Sequence, residues 1–199
     1  MCRKLPQSEV LFYQEGKVVI YLLLDIVQLS FMIIPILIIY TAYKLIRKRF
    51  NYLFTEIIHM VFICYLFILI YIVWFSMPVT FEYITINVIP FHTIAGYVTE
   101  IFAGDLSIKI IASNLLGNVL LTMPMGIYLY FNRISLNTTT AAAILVPIII
   151  ELGQLLLHYI GFATRSVDID DIILNFAGML IGYYLAKLCK FVKKSKYID

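Results

Sequence analysis

Residues 139–160 read TTAAAILVPIIIELGQLLLHYI, a long apolar run whose second half is broken by a carboxylate, Glu151, and an amide, Gln154. At about 1.5 Å of rise per residue, a helix of this length crosses the roughly 30 Å hydrocarbon layer of a bilayer. Lipid offers no partner to unpaired backbone groups, so a spanning segment of this kind must be helical. The run predicts a transmembrane helix, and a helix with a task, because a charged side chain within a span costs about 2.5–3.5 kcal/mol to insert.

Four more runs of comparable length lie at 18–43, 55–77, 108–131 and 169–189. The whole chain agrees with them: of its 199 residues 62% are hydrophobic and only 14% charged, and the mean hydropathy is +0.95. A core of this size cannot hide so much apolar surface from water. The reading is an all-α membrane protein, a five-helix transmembrane bundle, since nothing shows the alternation of a barrel strand. Arg3 and Lys4 give the N-terminus some basic character, but the first apolar run is too long for a signal peptide and reads as a retained span.

Lysine and arginine set the orientation. Lys44, Arg47, Lys48, Arg49, Arg133, Lys187, Lys190, Lys193, Lys194 and Lys196 all fall on one side of the spans, while Glu82, Glu100, Asp105, Asp168, Asp170 and Asp171 fall on the other. The positive-inside rule predicts the N-terminus out and the C-terminus in. Because topology accounts for the basic residues, the net charge of +3 gives no support to nucleic-acid binding. Cys2, Cys64 and Cys189 are scattered without metal spacing. Glu56 and His59, at the inner edge of span two, read as ordinary.

The extracytoplasmic segment 78–107 is too long for a simple connection. Ile94, Tyr97, Val98, Ile101 and Phe102 recur at helical spacing within it, which predicts a short amphipathic helix in the outer interface.

Polar residues inside the spans gather toward the outer side. Counting inward at about 1.5 Å per residue puts Asn114, Gln154 and Asn175 in one layer about 9 Å deep, with Asn118 and Glu151 somewhat deeper and Arg165, Asp168, Asp170 and Asp171 at the rim. The spacings Asn114/Asn118, Glu151/Gln154/His158 and Asp168/Asp171/Asn175 place each set on one helical face. Gly178 and Gly182 form a small-xxx-small pair that lets helix backbones approach, with Gly117, Gly126 and Gly153 as further small residues. These features predict a close-packed bundle around a polar pocket.

The series Asn114-Leu-Leu-Gly117-Asn118, Pro124-Met-Gly126, Glu151-x-x-Gln154 and Arg165-x-x-Asp168-x-x-Asp171-x-x-x-Asn175-x-x-Gly178-x-x-x-Gly182-Tyr183 resembles the motifs of VanZ-like integral membrane proteins, and Asn87-Val-Ile-Pro90-Phe91 resembles the motif that precedes them. On that resemblance residues 78–192 form a VanZ-like domain with three spans, 1–77 a two-span extension and 193–199 a basic cytoplasmic tail. The resemblance implies a multi-pass protein of the bacterial cell membrane, associated through the founding member with low-level resistance to the glycopeptide teicoplanin. The positions it implicates are Asn114, Asn118, Glu151, Gln154, Arg165, Asp168, Asp171 and Asn175.

Three mechanisms fit those residues. In one, the pocket binds a lipid-linked or lipidated molecule at the outer leaflet, a cell-wall precursor or a lipoglycopeptide. There Arg165 would hold an oxyanion, and the amides of Asn114, Gln154 and Asn175 a sugar or peptide headgroup. In the second, Glu151 carries a proton in a membrane-embedded enzyme acting on a lipid-linked substrate. The third is a proton-coupled transporter, which the lack of broken inverted repeats weakens. No nucleophile motif, zinc helix or phosphate loop is present, so the sequence favours binding over catalysis and implies no cofactor. Asp168, Asp170 and Asp171 suit a hard cation, Asp168 and Asp170 equally helix capping, and the span amides suit either a ligand or interhelical hydrogen bonding. The partners expected are membrane lipids and the bound molecule, not nucleic acid.

Overall fold

The computed structural model describes residues 7–47, 53–76, 86–103, 108–162 and 166–195. Along the chain these form α1 (Gln7–Ile46), α2 (Leu53–Trp74), β1 (Ile86–Asn87), α3 (His92–Ala103), α4 (Ile108–Phe131), α5 (Leu136–Tyr159), β2 (Val167–Asp168) and α6 (Ile169–Ser195). Among these, every helix but α3 is long and apolar enough to cross a membrane, so the five predicted spans are present. The amphipathic helix expected within 78–107 is α3, which begins two residues before Ile94 and ends one residue after Phe102. The first helix is longer than its span. It runs for 40 residues with no proline before Pro35, so it continues well beyond the hydrocarbon layer at about 1.5 Å per residue.

The chain divides into two compact units, residues 1–72 and 73–199. In the first, Glu56 is not the ordinary edge residue that its position suggests. It is 1% exposed, accepts a hydrogen bond of 2.6 Å from the Tyr40 hydroxyl and pairs with Lys44 Nζ at 3.0 Å. A buried carboxylate needs such partners, because desolvating it alone is costly. One further polar contact joins the same two helices: the Tyr71 hydroxyl donates to Asp25.

The second unit is built on the α4–α6 contact. Asn118 bonds Asp171 and Thr122 bonds the Asn175 backbone, a constant offset that puts the two helices side by side in parallel. Glycines make the approach possible. A Cβ at Gly178 would lie 2.2 Å from the Val119 carbonyl oxygen, at Gly182 2.1 Å from that of Met123, and at Gly126 1.9 Å from that of Met179. The small-xxx-small pair therefore works as predicted, whereas Gly117 faces open space.

Antiparallel α5 returns between them in sequence. Its N-cap Ser135 accepts from the Thr138 N–H at 3.2 Å. Its C-terminus closes at Gly161, φ +80°, where the Gly161 N–H reaches His158 O and the Phe162 N–H reaches Leu157 O. That paired arrangement needs a left-handed residue, which glycine adopts without strain. In the C-terminal half of α5, Trp74 lies over Gly153 and donates to the Ile150 carbonyl at 3.2 Å. Leu116, Leu120, Leu145, Ile149, Leu152, Leu156 and Leu185 point outward and are exposed, while Glu151, Gln154 and Asn175 are buried. That inversion of the soluble pattern is what a helix bundle solvated by lipid requires.

Candidate functional site

The polar end of the second unit is organised by a two-stranded parallel ladder. Ile86 pairs with Val167 and Asn87 with Asp168, which brings the segment before α3 against the start of α6. Asp168 is 7% exposed. Its carboxylate accepts from Asn87 Nδ2 at 2.8 Å, from Thr93 Oγ1 at 2.5 Å and from the Asp170 N–H at 2.9 Å. The last bond makes Asp168 the N-cap of α6.

Asp170 caps a different helix. Buried at 1% exposure, its carboxylate accepts the N–H groups of Phe91, Thr93 and Ile94 at 2.5, 2.9 and 3.0 Å, all at the start of α3. These bonds satisfy donors that no turn of α3 can reach, and the charge complements that helix's positive end. They also hold Phe91 at φ +64°, a left-handed conformation that a bulky side chain rarely adopts. Capping therefore accounts for both acids. Among the described residues no group of three or more His, Cys, Asp or Glu side chains is disposed to hold a metal ion.

Glu151 is 3% exposed, and its Oε2 accepts the Asp168 N–H at 3.0 Å. This one bond sets the depth of α6. Counting from the helix ends predicts that Asn114, Gln154 and Asn175 share a layer, but the bond starts α6 level with Glu151, two turns short of the end of α5. Asn175 is thereby carried about two turns deeper than Glu151, while Gln154 lies about one turn shallower. The layer is instead a ladder. On α4 it descends from exposed Asn114, which donates to the Tyr97 hydroxyl at 2.8 Å, through half-buried Asn118 to buried Thr122. On α6 it descends from half-buried Asp171, bonded by Asn118, to Asn175 at 2% exposure.

Of the sequence-derived positions, the structure links Asn118 with Asp171 and Glu151 with Asp168 directly. Asn114 joins the ladder at its exposed end. Gln154 lies on the α5 face of Glu151 and donates from Nε2 to the Val73 carbonyl at 3.2 Å. Arg165 lies outside the described residues. Among the described residues two buried amide oxygens have no hydrogen-bond partner, Gln154 Oε1 and Asn175 Oδ1.

The order of these elements along the chain, from Asn87 to the glycine pair of α6, is matched by a family profile described as VanZ/LLP1 over residues 62–190, well over half of the chain. The chain belongs to the VanZ/LLP1 family. Five membrane-length helices make this VanZ/LLP1 member a multi-pass membrane protein. No curated protein and no solved structure matches it.

The same cluster takes in residues to which the sequence pattern gives no site role: Thr93 and the backbone of Phe91 and Ile94 at the α3 terminus, Tyr97 beside Asn114, and Thr122, which donates to the Asn175 carbonyl at 2.6 Å. Thr93 carried a legible signal, a hydroxyl just after a proline turn at a helix start. Its acceptors, distant in sequence, carried none.

Proposed function

We propose that this VanZ/LLP1 protein binds the polar headgroup of a lipid-linked or lipidated molecule at the outer leaflet of a bacterial cell membrane, and that this binding underlies low-level resistance to teicoplanin. The lysine and arginine distribution supports an outward-facing polar end, with the C-terminus inside. The observation that carries the reading is the buried, unpartnered acceptor at the foot of the ladder, Asn175 Oδ1. A buried polar atom left unsatisfied costs about 1–3 kcal/mol, and a donor supplied by a bound headgroup offsets that cost.

The ladder gives such a headgroup a graded series of polar groups from exposed Asn114 to buried Asn175. Asp168 and Asp170 shape the mouth by holding the 86–94 segment, and Arg165 is the residue suited to an accompanying phosphate or carboxylate. Binding rather than catalysis is supported by the occupation of both acids in capping bonds.

The test is mass spectrometry of the molecules that copurify with the full chain in native membrane particles. The expected result is one lipid-linked or lipidated species enriched over bulk lipid and lost in Arg165→Ala. A copurifying lipid profile identical to bulk membrane in both proteins overturns the reading.

A further inference from the structure

Asn175 differs from every other polar residue on the ladder. Its backbone carbonyl accepts the Thr122 hydroxyl, but its side-chain amide makes no hydrogen bond, and Oδ1 is fully enclosed. Gln154 uses its Nε2 on Val73, Asn118 uses its Nδ2 on Asp171, and Asn114 uses its Nδ2 on Tyr97. The interhelical bond at the level of Asn175 is therefore made by Thr122 with backbone, and the amide itself does not hold α4 to α6. Burying an amide at 2% exposure with its oxygen unpartnered is unfavourable, so an apolar residue would serve packing better at this position.

A primary amide offers an acceptor and a donor side by side. A phosphate or carboxylate oxygen could satisfy only the N–H half and would set its negative charge against the Oδ1 acceptor. An ammonium could satisfy only Oδ1. Adjacent sugar hydroxyls satisfy both halves at once, one donating to Oδ1 and the other accepting from Nδ2, and an amide group does the same. We propose that Asn175 is the floor of the ligand site and receives an uncharged unit of this kind, a sugar diol or a peptide amide, from the headgroup.

This assignment rests on the binding reading above and narrows it. Approach is along the ladder, because Asn114 is exposed, Asn118 and Asp171 are half-buried, and only Thr122 and Asn175 are buried. Below Asn175 the Gly178 and Gly182 contacts with the Val119 and Met123 carbonyls close the space between α4 and α6. The polar route thus ends at the amide.

The experiment measures binding of four lipids with the same acyl chains to the full chain in phosphatidylcholine nanodiscs: a monoglucosyl diacylglycerol, an N-acylated dipeptide, phosphatidic acid and plain diacylglycerol. The expected result is at least about tenfold tighter binding, a difference of about 1.4 kcal/mol, of the glucosyl lipid or the lipodipeptide than of the other two. Which of the two binds identifies the source of the donor–acceptor pair. Asn175→Leu, of similar volume, is expected to keep the wild-type thermal midpoint and to lose the preference.

Tightest binding of phosphatidic acid, or a preference that survives in Asn175→Leu, overturns the assignment while leaving a headgroup site in place. A lower thermal midpoint in Asn175→Leu marks the amide as structural and also overturns it. Failure of all four lipids to bind overturns the binding reading as well.

Discussion

Asp170 sits in the first turn of α6 but serves the N-terminus of α3, accepting the Thr93 N–H at 2.9 Å together with those of Phe91 and Ile94. One carboxylate thereby fixes the start of the interfacial helix to the start of a transmembrane helix, across almost eighty residues of sequence. With Asp168 on Thr93 and Asn87, it makes the mouth of the ladder a single hydrogen-bonded assembly.

Asp170→Ala is expected to release α3 from this assembly. Three N–H groups lose a charged acceptor in a buried setting, at a cost of about 2–3 kcal/mol. Hydrogen exchange should accelerate at the amides of Phe91, Thr93 and Ile94 and remain unchanged in the α4–α6 contact around Gly178. Unaltered protection at Thr93 would show that the cap does not hold α3.

Much of this architecture is legible in the sequence, for physical reasons that also mark where legibility stops. Spans are read from length and apolarity, which lipid enforces residue by residue, and α3 from a strong periodicity in Ile94, Tyr97, Val98 and Ile101. Gly178 and Gly182 announce a close helix contact because few other features explain that spacing. The β1–β2 ladder is invisible: two residues on each side, Ile86-Asn87 and Val167-Asp168, carry no pattern, and only long-range pairing defines them. That ladder, with the Glu151 bond to Asp168, is what shifts α6 in depth and turns an expected layer into a ladder. The role of Glu56 is hidden for a similar reason, since its partners Tyr40 and Lys44 come from the preceding helix.

Gly182→Leu is expected to separate α4 from α6. Even a Cβ at that position would lie 2.1 Å from the Met123 carbonyl oxygen, and backbone cannot yield as a flexible side chain can. Overpacking of this kind costs about 1–3 kcal/mol, with the upper end expected here. The measurement is the fraction of folded protein recovered after mild detergent extraction. Gly117→Leu is the matched control, because open space surrounds Gly117, and a comparable loss in the control would remove glycine packing as the explanation.

Glu151→Gln separates two roles of one carboxyl. The glutamine side-chain oxygen can still accept the Asp168 N–H that Oε2 now receives, so membrane abundance should be unchanged. Removing the carboxyl beneath the ladder's mouth is expected to lower teicoplanin resistance to that of cells without the protein. Normal resistance at normal abundance would leave Glu151 with the structural bond alone.

The proposed orientation places Cys189, exposed near the end of α6 and flanked by Lys187 and Lys190, on the cytoplasmic side. The positive-inside rule makes this a consequence of charge, because these lysines are held where insertion does not require them to cross the membrane. In a variant retaining only this cysteine, a membrane-impermeant maleimide should label inside-out vesicles and leave intact cells unmodified. A cysteine placed by Val88→Cys, exposed in the 86–94 segment, should show the opposite pattern. Labelling of Cys189 from outside intact cells would invert the topology, put Asn114 and the mouth of the ladder at the inner leaflet, and remove the outer-leaflet headgroup from consideration.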